Sequence, residues 1–455
     1  MKKIMKVLMM VQILTTSTSF TVSCAKKYQY LCDVWVISSG GPINDKSFIQ
    51  SAWEGASKFI VSQAASSPAL AKWQDSSLWA SYYEPSGITP SEFQTAYKVA
   101  TIVGAKTLIL PGFSHGLTIG WAAALTDNVI FIDGSGQNVH AKMGANEPIV
   151  DNIIGILFQK EIAGFLAGLV TAIWLNLHQA EFKQELNIAT YGGMDNPIGV
   201  SNYLWGFLLA ADIFNEIIKP NASYPNLQQL MPDILAVINN KIDPTIKHLL
   251  PINKVQDVLN ANESWFSQSF NQGEGKIISD YLISKKASII FPVAGPQTQD
   301  TIDYIKYKQV KTKVIGVDTA QSQIYGDEHI ITSGLLNIAQ ATEDALANIY
   351  SSKCNYNSVT KQWDDSKTAQ ECWINTDQSS KTNPNWLGVE KTKWIDDSVI
   401  NYLNNNAKIA KLTTTIGTIY EQINQAHFAD TLRLTYQTQN QLKKDLLVML
   451  ENGLK

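Results

Sequence analysis

Short, almost wholly apolar runs recur along this chain, each breaking into glycine or a polar cluster before a longer stretch with helical spacing. The runs are VWVI (34–37), TLIL (107–110), VIFID (129–133), IIGILF (153–158), NIATYGG (187–193), ASIIFPVAG (287–295) and TKVIGVDTAQS (312–322). Runs this short, bounded by turn residues, predict strands. Between them, Trp53, Ala56, Phe59 and Ile60 share one helical face, and a further helix runs through Ala122 to Leu125. EIAGFLAGLVTAIWL (161–175) predicts a helix whose small residues permit close packing. DNPIGVSNYLWGFLLAADIF (195–214) predicts one with an aromatic-rich first turn, and Asn337 to Tyr350 another. Strand, helix, strand alternation implies an α/β chain with parallel sheets covered on both faces. Seven or so such units, each loop opening to one side, fit two Rossmann-like lobes flanking a cleft.

The pattern weakens in three places. Residues 216–260 are hard to place, because Pro232, Pro244 and Pro251 limit helix length. Residues 351–386 are polar and read as a surface insertion. The last 60 residues, rich in Asn, Gln and Thr, predict helices on the outside.

The first residues read as a leader rather than as fold. Lys2, Lys3 and Lys6 precede the short apolar stretch VLMMVQIL, and a Ser/Thr-rich segment ends at Thr21-Val22-Ser23-Cys24. A cysteine after a small residue at that point resembles a bacterial lipobox, so residues 1–23 are expected to be removed and Cys24 to carry the lipid. Beyond this leader no segment reads as apolar enough to span a bilayer, so the remainder is expected outside the cytoplasm, tethered to the cell membrane. The chain has 455 residues, enough for two or three domains, and its net charge of -4 gives no reason to expect a nucleic-acid polymer as partner. Of the other cysteines, Cys32 reads as a small core residue. Cys354 and Cys372 flank a polar loop and could either pair or stay free. No zinc spacing, Walker A sequence, H-E-x-x-H or strand-following G-x-G-x-x-G occurs, so neither a metal nor a cofactor is expected.

Candidate chemistry collects in loops at strand ends. The stretch VWVISSGGPINDKSFIQSAWEGASKF (34–59) reads as strand, ligand-facing loop and helix. Ser39, Asn44, Asp45 and Phe48 lie in or just after its loop, and Asp133, Tyr203, Gly295 and Asp318 lie at other junctions. Carboxylates suit vicinal hydroxyls, because each accepts two hydrogen bonds, and aromatics suit a planar base. Gly112-Phe113-Ser114-His115-Gly116 matches the nucleophile elbow G-x-S-x-G, with Asp318 and His329 or His427 following in hydrolase order. Pro111 directly before it argues for a simple turn, and no enzyme is expected.

Several motifs in order resemble one family. GGPINDKSFIQSAWEG, PGFSHG followed by VIFIDG, EIAGFLAGLVTA, GGMDNP with Tyr203-Leu204-Trp205-Gly206-Phe207, VAG and IGVDTAQS look like the basic membrane protein family of substrate-binding lipoproteins, over about residues 33 to 350. That resemblance implies a type I periplasmic-binding-protein fold that delivers a nucleoside to an ABC transporter permease. The domains are expected as a first lobe over 33–155 plus roughly 332–395, a second lobe over 156–331 and a helical tail over 396–455, with 24–32 as the lipidated N-terminus and tether. The resemblance also implies a purine held between Phe48 and Tyr203, carboxylate contacts from Asp133 and Asp318, and a ribose near Gly295. Four positions depart from the family pattern: Ser39, Ile49, Ala320 and Leu336. They leave a second expectation, that of a surface lipoprotein which keeps the fold but serves adhesion or host interaction.

Overall fold

The computed structural model describes residues 33–64, 80–137, 152–183, 185–220, 223–239, 248–256, 264–350, 356–357, 362–363, 373, 376–426 and 439–454. The leader and all four cysteines, with His427, lie outside those residues. The first sheet is built from β1 (Val34–Ile37), β2 (Ser81–Tyr83), β3 (Thr107–Pro111), β4 (Asn128–Ile132) and β5 (Ile153–Leu157). The second uses β6 (Asn187–Gly192), β7 (Asn253–Lys254), β8 (Ile289–Val293), β9 (Lys313–Asp318) and β10 (Ile330–Leu336). Two late strands complete them: β11 (Thr376–Ser379) beside β5, and β12 (Leu387–Val389), antiparallel, beside β10. The orders are β11-β5-β4-β3-β1-β2 and β12-β10-β9-β8-β6-β7. They are the same order twice, and every pairing except that of β12 with β10 is parallel. In each sheet the topology reverses beside the first strand, so the loops at those carboxyl ends open a crevice. The chain therefore carries two doubly wound lobes of one plan.

The lobes are tied by chain crossings. The first passes through Phe158 and Gln159, between β5 and the helix that follows it. The chain stays in the second sheet through Leu336, and then α-helix Ile338–Ile349 packs against Phe48–Ala64 of the first lobe. Strand β11 belongs to the first sheet and β12 to the second, so the segment between them crosses once more. The expected first-lobe stretch at 332–395 thus contains strands of both sheets.

We number the helices α1 (Phe48–Ala64), α2 (Pro90–Ile102), α3 (Ile119–Leu125), α4 (Lys160–Leu177), α5 (Ser201–Ile217), α6 (Pro225–Gln228), α7 (Met231–Asn239), α8 (Lys276–Ser284), α9 (Gln297–Lys308), α10 (Ser322–Tyr325), α11 (Ile338–Ile349), α12 (Asp397–Asn405), α13 (Ala407–Ala426) and α14 (Gln439–Gly453). Helix α4 corrects one expectation of the sequence. It is long and apolar enough to cross a membrane, yet the fold buries almost all of it as the central helix of the second lobe. An all-round apolar helix is what a core position between sheet and neighbouring helices demands. Its glycines set the approach of α5. A Cβ on Gly206 would lie 2.0 Å from the Glu161 carbonyl oxygen, and one on Gly164 would lie 2.2 Å from that of Tyr203.

The C-terminal helices finish this lobe. Ile409, Leu412, Ile416 and Ile419 of α13 are buried, as are Leu446, Leu447 and Leu450 of α14. Tyr420 packs its ring 5.1 Å from that of Trp205 and donates to the Pro197 carbonyl. The Glu451 carboxylate accepts from the amides of Asn226 and Leu227 at 2.8 and 3.0 Å, capping α6. The tail is helical and lies on the outside, as expected, with one face of each helix packed into the core and the other exposed.

At the start of α1, the Asp45 carboxylate accepts from the amides of Ser47, Ile49 and Gln50 at 2.9, 3.2 and 3.0 Å, satisfying donors that a helix start leaves unpaired. Burial outweighs those bonds and pushes its carboxyl up to about 6, with Asp318 adding repulsion.

Two outcomes follow from this packing. Gly206→Val is expected to destabilise the protein by about 3 kcal/mol or more, read as a lower melting temperature, because backbone rather than a movable side chain blocks the new methyls. Because the fold raises the Asp45 carboxyl from 3.8 to about 6, its contribution is full below 3.8 and is lost as pH rises through about 6. Asp45→Asn should therefore flatten the decline in unfolding free energy between pH 4 and 7 by an amount on the order of 2–3 kcal/mol, followed by denaturant melts across that range. An unchanged slope would assign that decline to other groups.

Candidate functional site

A cavity of about 520 Å³ opens where the carboxyl ends of the two sheets face each other. The first lobe lines it with the loop after β1, from Ser39 to Ile49, with Gly112 and Phe113 after β3, and with Asp133 after β4. The second lobe contributes Met194, Gly199 and Val200 after β6, Val293, Gly295 and Pro296 after β8, and Asp318 at the end of β9. Residues Gln268 to Asn271 close one side; their loop is held to the end of β6 by Ser267 and Ser269 amides that donate to Gly192 and Gly193 carbonyls.

Two aspartates occupy matching places, each at the end of the fourth strand of its lobe. Both have left-handed backbone, with φ of 76° at Asp133 and 64° at Asp318. That conformation is uncommon for a residue with a Cβ, and aspartate is among the few that tolerate it. Here it ends each strand and turns the following backbone out of the sheet. Both carboxylates are buried and both are partnered. Asp133 accepts from the Lys160 ammonium at 2.7 Å, and each side chain is 3% exposed. Lys160 also donates to the Gly199 carbonyl at 3.0 Å and lies 5.1 Å from the centre of the Phe48 ring. Asp318 accepts from the Ser47 hydroxyl at 3.0 Å and from the Tyr203 hydroxyl at 3.2 Å. Burial pushes the Asp318 carboxyl up; the Lys160 charge opposes this, and Asp133 adds repulsion. Lys160 thus acts electrostatically on both aspartates.

Of the residues expected at the site, Ser39, Asp45, Phe48, Asp133, Gly295 and Asp318 line the cavity. Gly295 has φ of 56°, and a Cβ there would meet Ser47 at 3.7 Å, so its backbone faces the first lobe closely. Two residues are placed elsewhere. Asn44 is exposed and is not among the residues that line the cavity. Tyr203 is fully buried behind Asp318, with its ring edge-on to Phe291 at 5.8 Å, and so it offers no face to a bound base. Its hydroxyl orients the carboxylate instead. Two of the four departures line up differently as well: Ile49 lines the cavity, whereas Leu336 is 2% exposed in the core of the second lobe, away from it.

The site also holds residues that the sequence reading did not select. Lys160 is the chief one, with Ser47, Phe113 and Phe270. Lysine followed by glutamate at the head of an uncharged apolar helix was the available signal for Lys160, since buried cations need partners. Phe113 accounts for the PGFSHG motif: it lies against Gly199 of the other lobe, where a Cβ would come 2.8 Å from its ring. Among the described residues no histidine is hydrogen-bonded to Ser114, and the candidate His427 lies outside them. Ser114 Oγ has no hydrogen-bond partner, while His115 bonds to Tyr97 and the Ile37 carbonyl, and burial pushes its imidazole down to about 3.

No family model matches this sequence. Two curated relatives are mycoplasma proteins. The chain is 27% identical over 354 residues to "Uncharacterized lipoprotein MG040 homolog" of Mycoplasma pneumoniae, a match that covers 68% of this chain and 53% of the relative. It is 27% identical over 323 residues to "Uncharacterized lipoprotein MG040" of Mycoplasma genitalium, covering 61% and 53%. The chain spans about half the length of these relatives. Among solved structures, a solute-binding protein of an ABC transporter system from Aeropyrum pernix K1 superposes with a TM-score of 0.53 at 16% identity, covering 92% of this chain and 98% of that one. The likeness is one of fold: two lobes with parallel sheets in the type I periplasmic-binding-protein arrangement.

Proposed function

We propose that this chain is a lipid-anchored solute-binding protein of the basic membrane protein type. In this reading it captures a nucleoside, a purine nucleoside by preference, in the cavity between its lobes and hands it to an ABC importer without chemical change. The observation that carries the reading is the cavity itself. It lies at the switch points of both sheets, is of a size suited to small solutes, and combines an aromatic wall with buried carboxylates. Asp318, fixed by Ser47 and Tyr203, keeps lone pairs for the ribose hydroxyls. Phe48, half-buried in the wall, provides the surface on which a base stacks, with Phe113 and Phe270 beside it. Mycoplasma relatives that bear the name lipoprotein support anchoring through Cys24, as does the lipobox-like leader. Cleft closure by lobe rotation is the mechanism, and the crossings between the sheets form the hinge.

Calorimetry with purine nucleosides and their free bases tests the ligand. Phe48→Ala should weaken both by roughly 1–3 kcal/mol through lost stacking. Asp318→Asn should weaken nucleosides while leaving free bases nearly untouched. A Phe48→Ala protein that melts lower yet binds with unchanged affinity and preference would make Phe48 structural, and absence of nucleoside binding in the wild type would end the assignment. Anchoring is tested by Cys24→Ser, which should release the protein into the medium or leave an uncleaved precursor, since the acyl chains are its hold on the membrane. A processed variant that stays membrane-bound would refute the lipid anchor.

A further inference from the structure

We propose that the Asp45–Ser47 turn of the first lobe and Asp318 of the second form a proton-sensitive catch, which holds the cleft shut in mild acid and loosens as pH rises. The device does not depend on what the cavity binds. It is built where the first lobe enters the second. Ser47 is 1% exposed, and a Cβ on Gly295 would meet it at 3.7 Å. Lys46 has a left-handed φ of 57°, and its carbonyl stands 3.5 Å from Thr319 Oγ1 and from Gln321 Nε2. Its ammonium lies 5.3 Å from the centre of the Tyr325 ring. The second lobe thus covers a turn that opening of the cleft would return to water.

Within this seat one serine holds two carboxylates. Its amide donates to Asp45 Oδ1 at 2.9 Å, and its hydroxyl donates to Asp318 Oδ2 at 3.0 Å. Asp45 and Asp318 come from opposite lobes and are each 8% exposed. Their hydrogen-bond partners are neutral: three amides for Asp45, and the Ser47 and Tyr203 hydroxyls for Asp318. Lys160, the lysine that lines the cavity, is bonded to Asp133 and acts on Asp318 only through space. The other charges around the seat do not neutralise the pair. Lys46 is exposed to solvent, Glu84 brings a further carboxylate to the Ile43 amide, and Asp300 acts with Asp45 on the Tyr325 hydroxyl. Among the described residues no histidine lines the cavity.

Closure therefore strips water from two acids of opposite lobes while the nearby lysine is already engaged, so the closed cleft holds protons more tightly than the open one. Burial, with Asp318 adding repulsion, pushes the Asp45 carboxyl up to about 6, and burial pushes Asp318 up as well. The protons have places to sit. Asp45 accepts two amides at Oδ1 and one at Oδ2, which leaves Oδ2 room for a proton. The Ser47 hydroxyl can accept from a protonated Asp318 as readily as it donates to the ionised form. For a carboxyl raised in the closed form, the advantage of closing is complete below 3.8 and is lost as pH rises through about 6.

Small-angle X-ray scattering without ligand tests the catch between pH 5 and pH 8, on the whole chain carrying Cys24→Ser so that no lipid is attached. This parent protein should be more compact at pH 5, with closing favoured about tenfold or more over pH 8. Asp45→Asn and Asp318→Asn, made separately in the parent, each keep the side-chain shape and discard the charge. Each should shrink the difference and stay more compact than the parent at pH 8. A radius of gyration that does not change with pH in the parent overturns the catch, whether or not a variant folds. So does a change of equal size in both variants. Because no ligand is added, a protein that binds no nucleoside would leave this inference standing, and failure of the catch would leave nucleoside binding untouched.

Discussion

Buried charge between the two sheets is the constraint on which the rest of the structure depends. A carboxylate removed from water must be paired or hydrogen-bonded, and this chain places Asp45, Asp133 and Asp318 around one cavity. Each is satisfied by a different device. Amides at a helix start serve Asp45, a lysine from the other lobe serves Asp133, and hydroxyls from both lobes serve Asp318. Two of the three solutions cross the cleft. The polar contacts that satisfy the aspartates are therefore also contacts that hold the lobes in register.

The scaffold supports those contacts by close packing behind them. Glycines at 164 and 206 let α4 and α5 approach until backbone touches backbone, which fixes the first turn of α4, and with it Lys160, relative to Tyr203. On the far side α13 secures the loop that carries Gly199, through Tyr420 and the Pro197 carbonyl. Residues distant from the cavity thereby set the position of the lysine and of one of its partners, the Gly199 carbonyl.

Much of the architecture was legible in the sequence because buried parallel strands leave a blunt signal: short apolar runs ending in glycine or aspartate. The doubled strand order was not, since β2 and β7 are only three and two residues long and lie in polar surroundings. The site was legible where backbone chemistry limits the residue, as at Gly295, Asp133 and Asp318, all with positive φ. It was less legible where tertiary placement decides the role. Tyr203 reads as an aromatic in a ligand-facing turn, yet the α4–α5 contact buries it behind Asp318. Lys160 was not among the residues selected from the sequence, and only the fold brings it against Asp133. The tail was read as exterior from its Asn and Gln content, and it is, but a few isoleucines and leucines at helical spacing suffice to anchor one face of it in the core.

The left-handed backbone at Asp133 and Asp318 carries a consequence for any residue-by-residue dissection of this cleft. Alanine at either place would remove a carboxylate and at the same time impose a conformation that costs a Cβ residue roughly 1–2 kcal/mol, with no short polar side chain to offset it. Truncation scanning would then attribute to recognition what belongs to the main chain. Asparagine tolerates the same φ and discards only the charge, and glycine tolerates it while discarding the side chain, so the pair separates the two effects. At the ends of these two strands the informative comparison is asparagine against glycine, with alanine left out of the series.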